Sequence, residues 1–316
     1  MIQATTTLTC TGRYTRRGYQ ALRWSRGTFV IAVIAWLLYF SWLNRAGVTL
    51  LVGRGDLNAL LVSVAALILS HLLFPLHVTL LLGGICPQIS YKEAFLSYGR
   101  RLPARYLPGG VWHNVARAFD LTTLGVPKGH TIVAMLSQIV FVNGLSLALG
   151  GAGLAFIDTE PQWRLMGVTC AVLGSLAIFV VMGYIQRRTP HVERRKYCWR
   201  LFLSGAITLA AVVLVSAAFV FYILAFPGMV KRSIVEIGTI VLFARGIGFL
   251  AFFAPNGLGV SETVSASLLA EPDMFSSVTI LLAGFRLVGI TADIVTWFFV
   301  MFLILTTYRQ KAIKTN

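Results

Sequence analysis

The chain has 316 residues, is 57% hydrophobic and only 12% charged, about half the charge of an ordinary soluble domain. Its charge is lopsided, 27 Lys+Arg against 11 Asp+Glu for a formal +16, and its mean hydropathy is +0.79. So few ionisable groups cannot cover a soluble surface of this size, and a nucleic-acid-binding domain would be basic but polar, so the composition points to a polytopic membrane protein.

In chain order, residues 1–27 form a basic tail with Arg13, Arg16, Arg17, Arg23 and Arg26. The apolar run Thr28–Leu43 follows, ends in Trp42, Asn44 and Arg45, and carries no small-residue cleavage site, so it reads as an uncleaved signal anchor. Further apolar stretches lie near 57–84, 131–157, 165–185, 201–226, 234–254 and 275–307, long enough for spanning helices with some tilt. The last could be one tilted or kinked span or two short helices turning near Gly289. No ten-residue alternation suggests a β-barrel, and backbone groups in lipid must be satisfied internally. The expected fold is therefore all-α: a polytopic helical bundle of about seven to eight spans over 28–308, with a basic tail at 309–316. Cys10, Cys86, Cys170 and Cys198 show no disulfide or metal spacing.

The loops predict orientation. Residues 91–130 hold Lys92, Arg100, Arg101, Arg105, Arg117 and Lys128, and 186–200 hold Arg187, Arg188, Arg194, Arg195, Lys196 and Arg200. The loops 44–56 and 158–164 are near neutral. The positive-inside rule places both termini, 91–130 and 186–200 in the cytoplasm, with 227–233 outside despite Lys231 and Arg232.

Two segments break the pattern. Leu107-Pro-Gly-Gly-Val111 and Ala254-Pro-Asn-Gly-Leu258 are Pro-x-Gly turns preceded by arginines. Each is followed by polar residues on a restarting helix: His113, Asn114 and Arg117, then Ser261 and Glu262. Proline ends a helix, glycine turns the chain, and the next helix begins with free N–H groups that suit an anion. Paired interrupted segments in the two halves of a membrane protein point to a transport site. An ionisable residue inside a span is itself a site candidate. Arg245 and Glu262 flank the second break and can pair across it, while Arg286 and Asp293, two turns apart, can face one cavity as an ion pair. His71 and His77 read as polar packing or cavity residues, and Gln138 and Asn143 as interhelical hydrogen-bonding residues.

The run RRLPARYLPGGVWHNVARAFDLTTLGVP and the later FFAPNGLGVSETVSASLL resemble the lysylphosphatidylglycerol synthase transmembrane-region family, which includes the flippase half of the multiple peptide resistance factor. Pro108, Gly109, Gly110 and Arg117 match its first block; Pro255, Gly257, Leu258, Gly259, Val260 and Glu262 match its second. The first block departs from the family's frequent G-G-D, and Asn256 stands where glycine is frequent. The resemblance implies movement of a phospholipid or a polyprenyl-phosphate-linked glycan across a bacterial or archaeal cytoplasmic membrane in envelope biosynthesis. It does not imply synthase chemistry, which sits in a separate soluble domain for which this chain has no room. The expected lipid-phosphate site is Arg101, Arg105, Pro108, Gly109, Gly110, Arg117, Arg245, Pro255, Gly257, Gly259 and Glu262, with the pair Arg286/Asp293 in the cavity.

No catalytic set, nucleotide-binding loop, cofactor or metal motif is expected, so uphill transport needs an ion gradient or a partner. The expected partners are a membrane lipid with an anionic headgroup and, among proteins, a second copy or envelope-biosynthesis proteins; no nucleic acid is expected. Two alternatives remain at this level. One is an integral-membrane glycosyltransferase or other lipid-modifying enzyme, for which Glu262, Glu236 and Asp120 are the candidate acids. The other is a non-transporting subunit that anchors an envelope complex through its basic loops.

Overall fold

The structure is a computed structural model that describes residue 42 and residues 55–83, 89–106, 112–188, 194–251, 257, 259–271 and 274–315. The chain divides into two compact units, Met1–Thr49 and Leu50–Asn316, and the second contains the helical bundle. The expected first span Thr28–Leu43 apart from Trp42, the elements Pro108, Gly109 and Gly110, and Pro255 lie outside the described residues.

The described residues form α-helices and one 3-10 turn, with no strand among them. In order these are α1 Leu57–Leu82, α2 Tyr91–Arg100, the 3-10 turn Leu102–Tyr106, α3 Trp112–Thr123, α4 Lys128–Leu154, α5 Pro161–Arg188, α6 Arg194–Leu224, α7 Ile234–Leu250, α8 Val260–Leu269 and α9 Phe275–Thr315. Five stretches are long and apolar enough to cross a membrane: Leu57–Leu82, Lys128–Leu154, Pro161–Arg187, Cys198–Leu224 and Ser277–Thr307. The chain is thus an all-helical, multi-pass membrane protein. α9 is a single continuous helix through Gly289, and it extends through the expected basic tail to Thr315.

Local sequence explains the helix ends. Asp56 caps α1 by accepting from the Asn58 amide at 2.9 Å, and Ser90/Glu93 and Ser233/Glu236 are reciprocal capping boxes on α2 and α7. α3 stops at Gly125, which has φ of 90°, followed by Pro127 at the start of α4.

α4 is the hub. Its glycines allow close approach: Gly144 meets Gly174 and Gly151 meets Gly167 on α5, while Gly150 lies against the Phe243 backbone of α7. A Cβ on Gly151 would come within 2.3 Å of the Gly167 carbonyl oxygen, so only glycine fits this seam. On the other side, α1 packs along α6, and α9 crosses α1 and α2. α8 fills the space between α7 and α9. The largest apolar core lies around Phe219, Ile240, Phe243, Ala266 and Leu281, from α6, α7, α8 and α9.

Contacts sort the loops onto two ends. The Asp56 amide donates to the Ala225 carbonyl at 2.9 Å, Arg232 approaches the Asp158 carbonyl at 3.5 Å, and Lys231 pairs with Glu271 at 3.2 Å. These loops therefore share one end. Lys231 precedes α7 and Glu271 follows α8, so α7 and α8 form a hairpin that returns to the end from which it starts. The Arg200 guanidinium lies beside Gly83, where α1 finishes at the other end.

Candidate functional site

The interior of the bundle holds a polar cluster assembled from seven elements. α1 supplies His71, α2 Tyr98, the 3-10 turn Arg105 and Tyr106, α3 His113 and Arg117, α7 Arg245, and α8 with α9 the set Ser261, Glu262, Arg286 and Asp293. His71 is fourteen residues into α1, about 21 Å from its start, which places the cluster near mid-depth. Pro75 lies four residues after His71 and has no N–H to give the His71 carbonyl, so α1 is locally weakened at this point.

Asp293 is one node. Its Oδ1 accepts from Arg105 Nη1 at 3.0 Å and lies 2.8 Å from His71 Nε2, while Oδ2 accepts from the Tyr106 hydroxyl at 2.7 Å. His71 Nδ1 is 2.9 Å from the Tyr98 hydroxyl. Glu262 is the second node. It accepts from Arg286 Nε, and Arg286 Nη2 also donates to Ser261 Oγ at 3.1 Å. Glu262 additionally closes its own helix start, its Oε2 accepting from the Gly259 amide at 2.9 Å.

These partners differ from the sequence expectations in three ways. Arg286 and Asp293 do share the cluster but do not form the expected pair with each other. Arg286 pairs with Glu262, and Asp293 with Arg105 and His71, because α8 and the 3-10 turn bring closer partners than the two-turn spacing along α9 allows. Arg245 is accordingly not the partner of Glu262. Nor is the start of α8 an open cradle at Gly259: the anion its amide attracts is Glu262 itself.

Gly257 and Gly259 shape the break. Both have positive φ, 70° and 85°. A Cβ on Gly257 would lie 2.9 Å from the Gly248 backbone of α7, so the turn folds tightly onto the helix it leaves.

Arg101 stands apart. It donates from Nε to Asp120 Oδ2 at 2.9 Å, and Arg100 reaches the same carboxylate at 2.7 Å, clamping α2 to α3. Burial alone would raise the Asp120 carboxyl, but the hydrogen bonds from Arg101 and Arg100 outweigh it and hold it below the usual carboxylate range. Arg101 thus leaves the expected phosphate set. The other candidate acid, Glu236, caps α7 and pairs with Arg232.

Two cations stay unsatisfied. Arg117 is 1% exposed, with Nη1 donating to Gln138 Oε1 at 2.5 Å and its guanidinium 5.0 Å from the Tyr98 ring centroid. Its Nε and Nη2 have no hydrogen-bond partner among the described residues. Arg245, partly exposed, has neither a carboxylate nor a hydrogen-bond partner among the described residues, and it feels the charges of Arg105, Asp293 and Arg286. In total four arginines (105, 117, 245, 286) face two carboxylates (262, 293) in the cluster, and Asp120, itself held by Arg100 and Arg101, adds a more distant attraction to Arg117.

The neighbouring polar residues are structural. His77 joins α1 to α6 and α4 through Thr208 at 2.9 Å and Ser137 at 3.1 Å. Gln138 also donates to the Phe74 carbonyl at 2.8 Å, the expected interhelical bond, whereas Asn143 donates within its own helix to Ile139. The sequence marks His71 only as a polar packing or cavity residue and does not mark Tyr98 or Tyr106. The one signal was a histidine four residues ahead of a proline inside an apolar helix. No protein-family model and no curated protein matches this chain.

Proposed function

We propose that this protein is a lipid flippase or translocase, which binds the phosphate of a phospholipid or of a polyprenyl-phosphate-linked glycan inside the bundle and moves it between leaflets. One observation carries this: a membrane-embedded cluster in which, among the described residues, Arg117 leaves Nε and Nη2 without a hydrogen-bond partner and Arg245 forms no ion pair, while the nearby carboxylates Glu262, Asp293 and Asp120 are each already paired with other arginines. An uncompensated cation in a span costs about 2.5–3.5 kcal/mol on insertion scales. A ligand anion offsets that cost, and arginine forks match phosphate oxygens. Arg245 and Arg117 are the direct phosphate contacts, with Arg105 and Arg286 supplying field from their ion pairs.

The proposed topology follows the hairpin geometry. The run 28–43, α1, α4, α5, α6 and α9 cross fully. The α7–α8 hairpin is a re-entrant element from the outer side, and α2, the 3-10 turn and α3 form the second broken element from the cytoplasmic side. These make eight membrane-embedded elements, the upper figure of the seven to eight expected, with both termini cytoplasmic in a bacterial or archaeal cytoplasmic membrane. The resemblance to the lysylphosphatidylglycerol synthase transmembrane-region family agrees with this reading through Arg117, Gly257, Gly259 and Glu262, although Glu262 here pairs with arginine and caps a helix.

The test is reconstitution of purified protein into phosphatidylcholine vesicles containing fluorescently labelled phosphatidylglycerol, with leaflet exchange followed by quenching of the outer leaflet. The wild type accelerates exchange, and Arg245→Gln abolishes the acceleration while remaining folded. Unchanged exchange by Arg245→Gln removes Arg245 from the site, and no acceleration by the wild type sinks the translocase reading for this lipid class.

A further inference from the structure

Phosphate binding by arginines gives no role to His71, yet this side chain is central to the cluster. It is 4% exposed, and both ring nitrogens are engaged, Nε2 at 2.8 Å from Asp293 Oδ1 on α9 and Nδ1 at 2.9 Å from the Tyr98 hydroxyl on α2. With Asp293 as a carboxylate, Nε2–H donates to it. Nδ1 of the neutral ring then accepts from the Tyr98 O–H. A proton added to Nδ1 reverses this second contact: Nδ1–H donates, the Tyr98 oxygen accepts, and the hydroxyl hydrogen rotates away. A phenolic hydroxyl can play either part. His71 can therefore take up one proton from water and keep both contacts.

The charges around it set the condition for uptake. Facing this region are Tyr98 from α2, Arg105 and Tyr106 from the 3-10 turn, His113 and Arg117 from α3, Arg245 from α7, and Arg286 and Asp293 from α9. α4 contributes only the neutral Gln138 here, its Lys128 and His130 being exposed at its start. The cationic residues of α6 lie in its first turns, where Arg200 meets Gly83. Asp293 is already shared with Arg105, and Arg245 adds positive charge that forms no ion pair among the described residues. Arg105 and Arg245 repel a proton on His71; an anion seated on Arg245 cancels the second repulsion.

We propose that His71 is a proton-binding site linked to the anion site at Arg245, so that a lipid phosphate and one proton bind together. The proposal rests on the lipid-phosphate reading above. Linkage is reciprocal: if the anion tightens the proton, a lower pH tightens the anion by the same factor. A proton gradient then biases the direction of lipid movement, which supplies a driving force to a chain whose sequence contains no nucleotide-binding loop.

The experiment titrates the full-length protein in detergent with dioctanoylphosphatidylglycerol, a phosphodiester lipid with no titrating headgroup proton near neutrality, in weak buffer with a pH-indicator dye. The wild type takes up as much as one proton per lipid bound, and its lipid Kd tightens by as much as about tenfold per unit fall in pH between about pH 8 and pH 5. His71→Gln takes up no proton on lipid binding and has a Kd flat with pH. Tyr98→Phe, which keeps the ring and removes the Nδ1 partner, moves the pH midpoint of uptake. Wild-type binding without proton uptake overturns the proposal and leaves the lipid-phosphate reading standing, and so does undiminished uptake by His71→Gln. If His71→Gln does not fold, an unmoved midpoint in Tyr98→Phe overturns the assignment to His71. Absence of lipid binding by the wild type overturns both.

Discussion

At the scale of single residues, the cluster contains side chains of opposite energetic character. Asp293 holds Arg105, Tyr106 and His71 at once. Asp293→Ala leaves the partly buried Arg105 without a carboxylate, so the expected cost is about 2–3 kcal/mol, below that of a fully buried pair, measured by denaturant or thermal unfolding in detergent. A loss under about 1 kcal/mol would show that Asp293 does not hold the cluster together. Arg245 is the reverse case. It has like-charged neighbours in Arg105 and Arg286 and forms no ion pair among the described residues, the nearby Asp293 being already held by Arg105 and His71, so Arg245→Gln leaves stability unchanged or raises it while removing anion binding. Lowered stability together with retained binding would assign Arg245 to packing instead. The presence of arginines and acids in apolar stretches was legible in the sequence. Their partners were not, because pairing follows distance in space, and Arg286 reaches Glu262 rather than the acid on its own helix.

At the scale of elements, the break between α7 and α8 depends on two glycines with different surroundings. Gly257 has positive φ and lies 2.9 Å, at its would-be Cβ, from the Gly248 backbone, whereas Gly259 has positive φ in open space. Gly259→Ala is expected to cost only the left-handed backbone strain, about 1–2 kcal/mol. Gly257→Ala adds a backbone collision and costs more, and equal unfolding midpoints for the two variants would contradict the close approach. The α2–α3 clamp predicts a pH effect. Asp120 has a lowered pKa in the folded protein, so its contribution is present above its unfolded value near 3.8 and is lost as the pH falls below about 4 through the folded value. Asp120→Asn flattens the acid limb of stability against pH; an unchanged limb would show that Arg100 and Arg101 do not hold the carboxylate. The Pro-x-Gly turn was visible in the sequence because proline and glycine act locally. That Glu262 closes the start of α8, and so competes with any outside anion at Gly259, required the rotamer and the neighbouring helix.

At the scale of the whole molecule, the loops near 56, 158–164, 225–233 and 271 gather at one end, in agreement with their low charge relative to 186–200. The proposed topology predicts that single cysteines at Gly228 and Glu271, in a background without native cysteines, react with an impermeant maleimide added outside intact cells. Cysteines at Lys128 and Arg195 should react only after permeabilisation. Opposite labelling of Gly228 and Glu271 would make α7–α8 a crossing rather than a re-entrant hairpin. The sequence by itself determined the all-helical membrane class of this protein, its five long apolar helices among the described residues and the break between α7 and α8, since hydropathy, proline and glycine act over one helix length. It left the site open as a scattered set of charges. Tertiary structure decided the rest: it moved Arg101 to a clamp at Asp120, brought His71, Arg105 and Tyr106 to Asp293, and left Arg117 and Arg245 short of partners among the described residues. The physical reason is that a charge in a low-dielectric interior takes its meaning from the groups within a few ångströms, and those come from helices far apart in the chain.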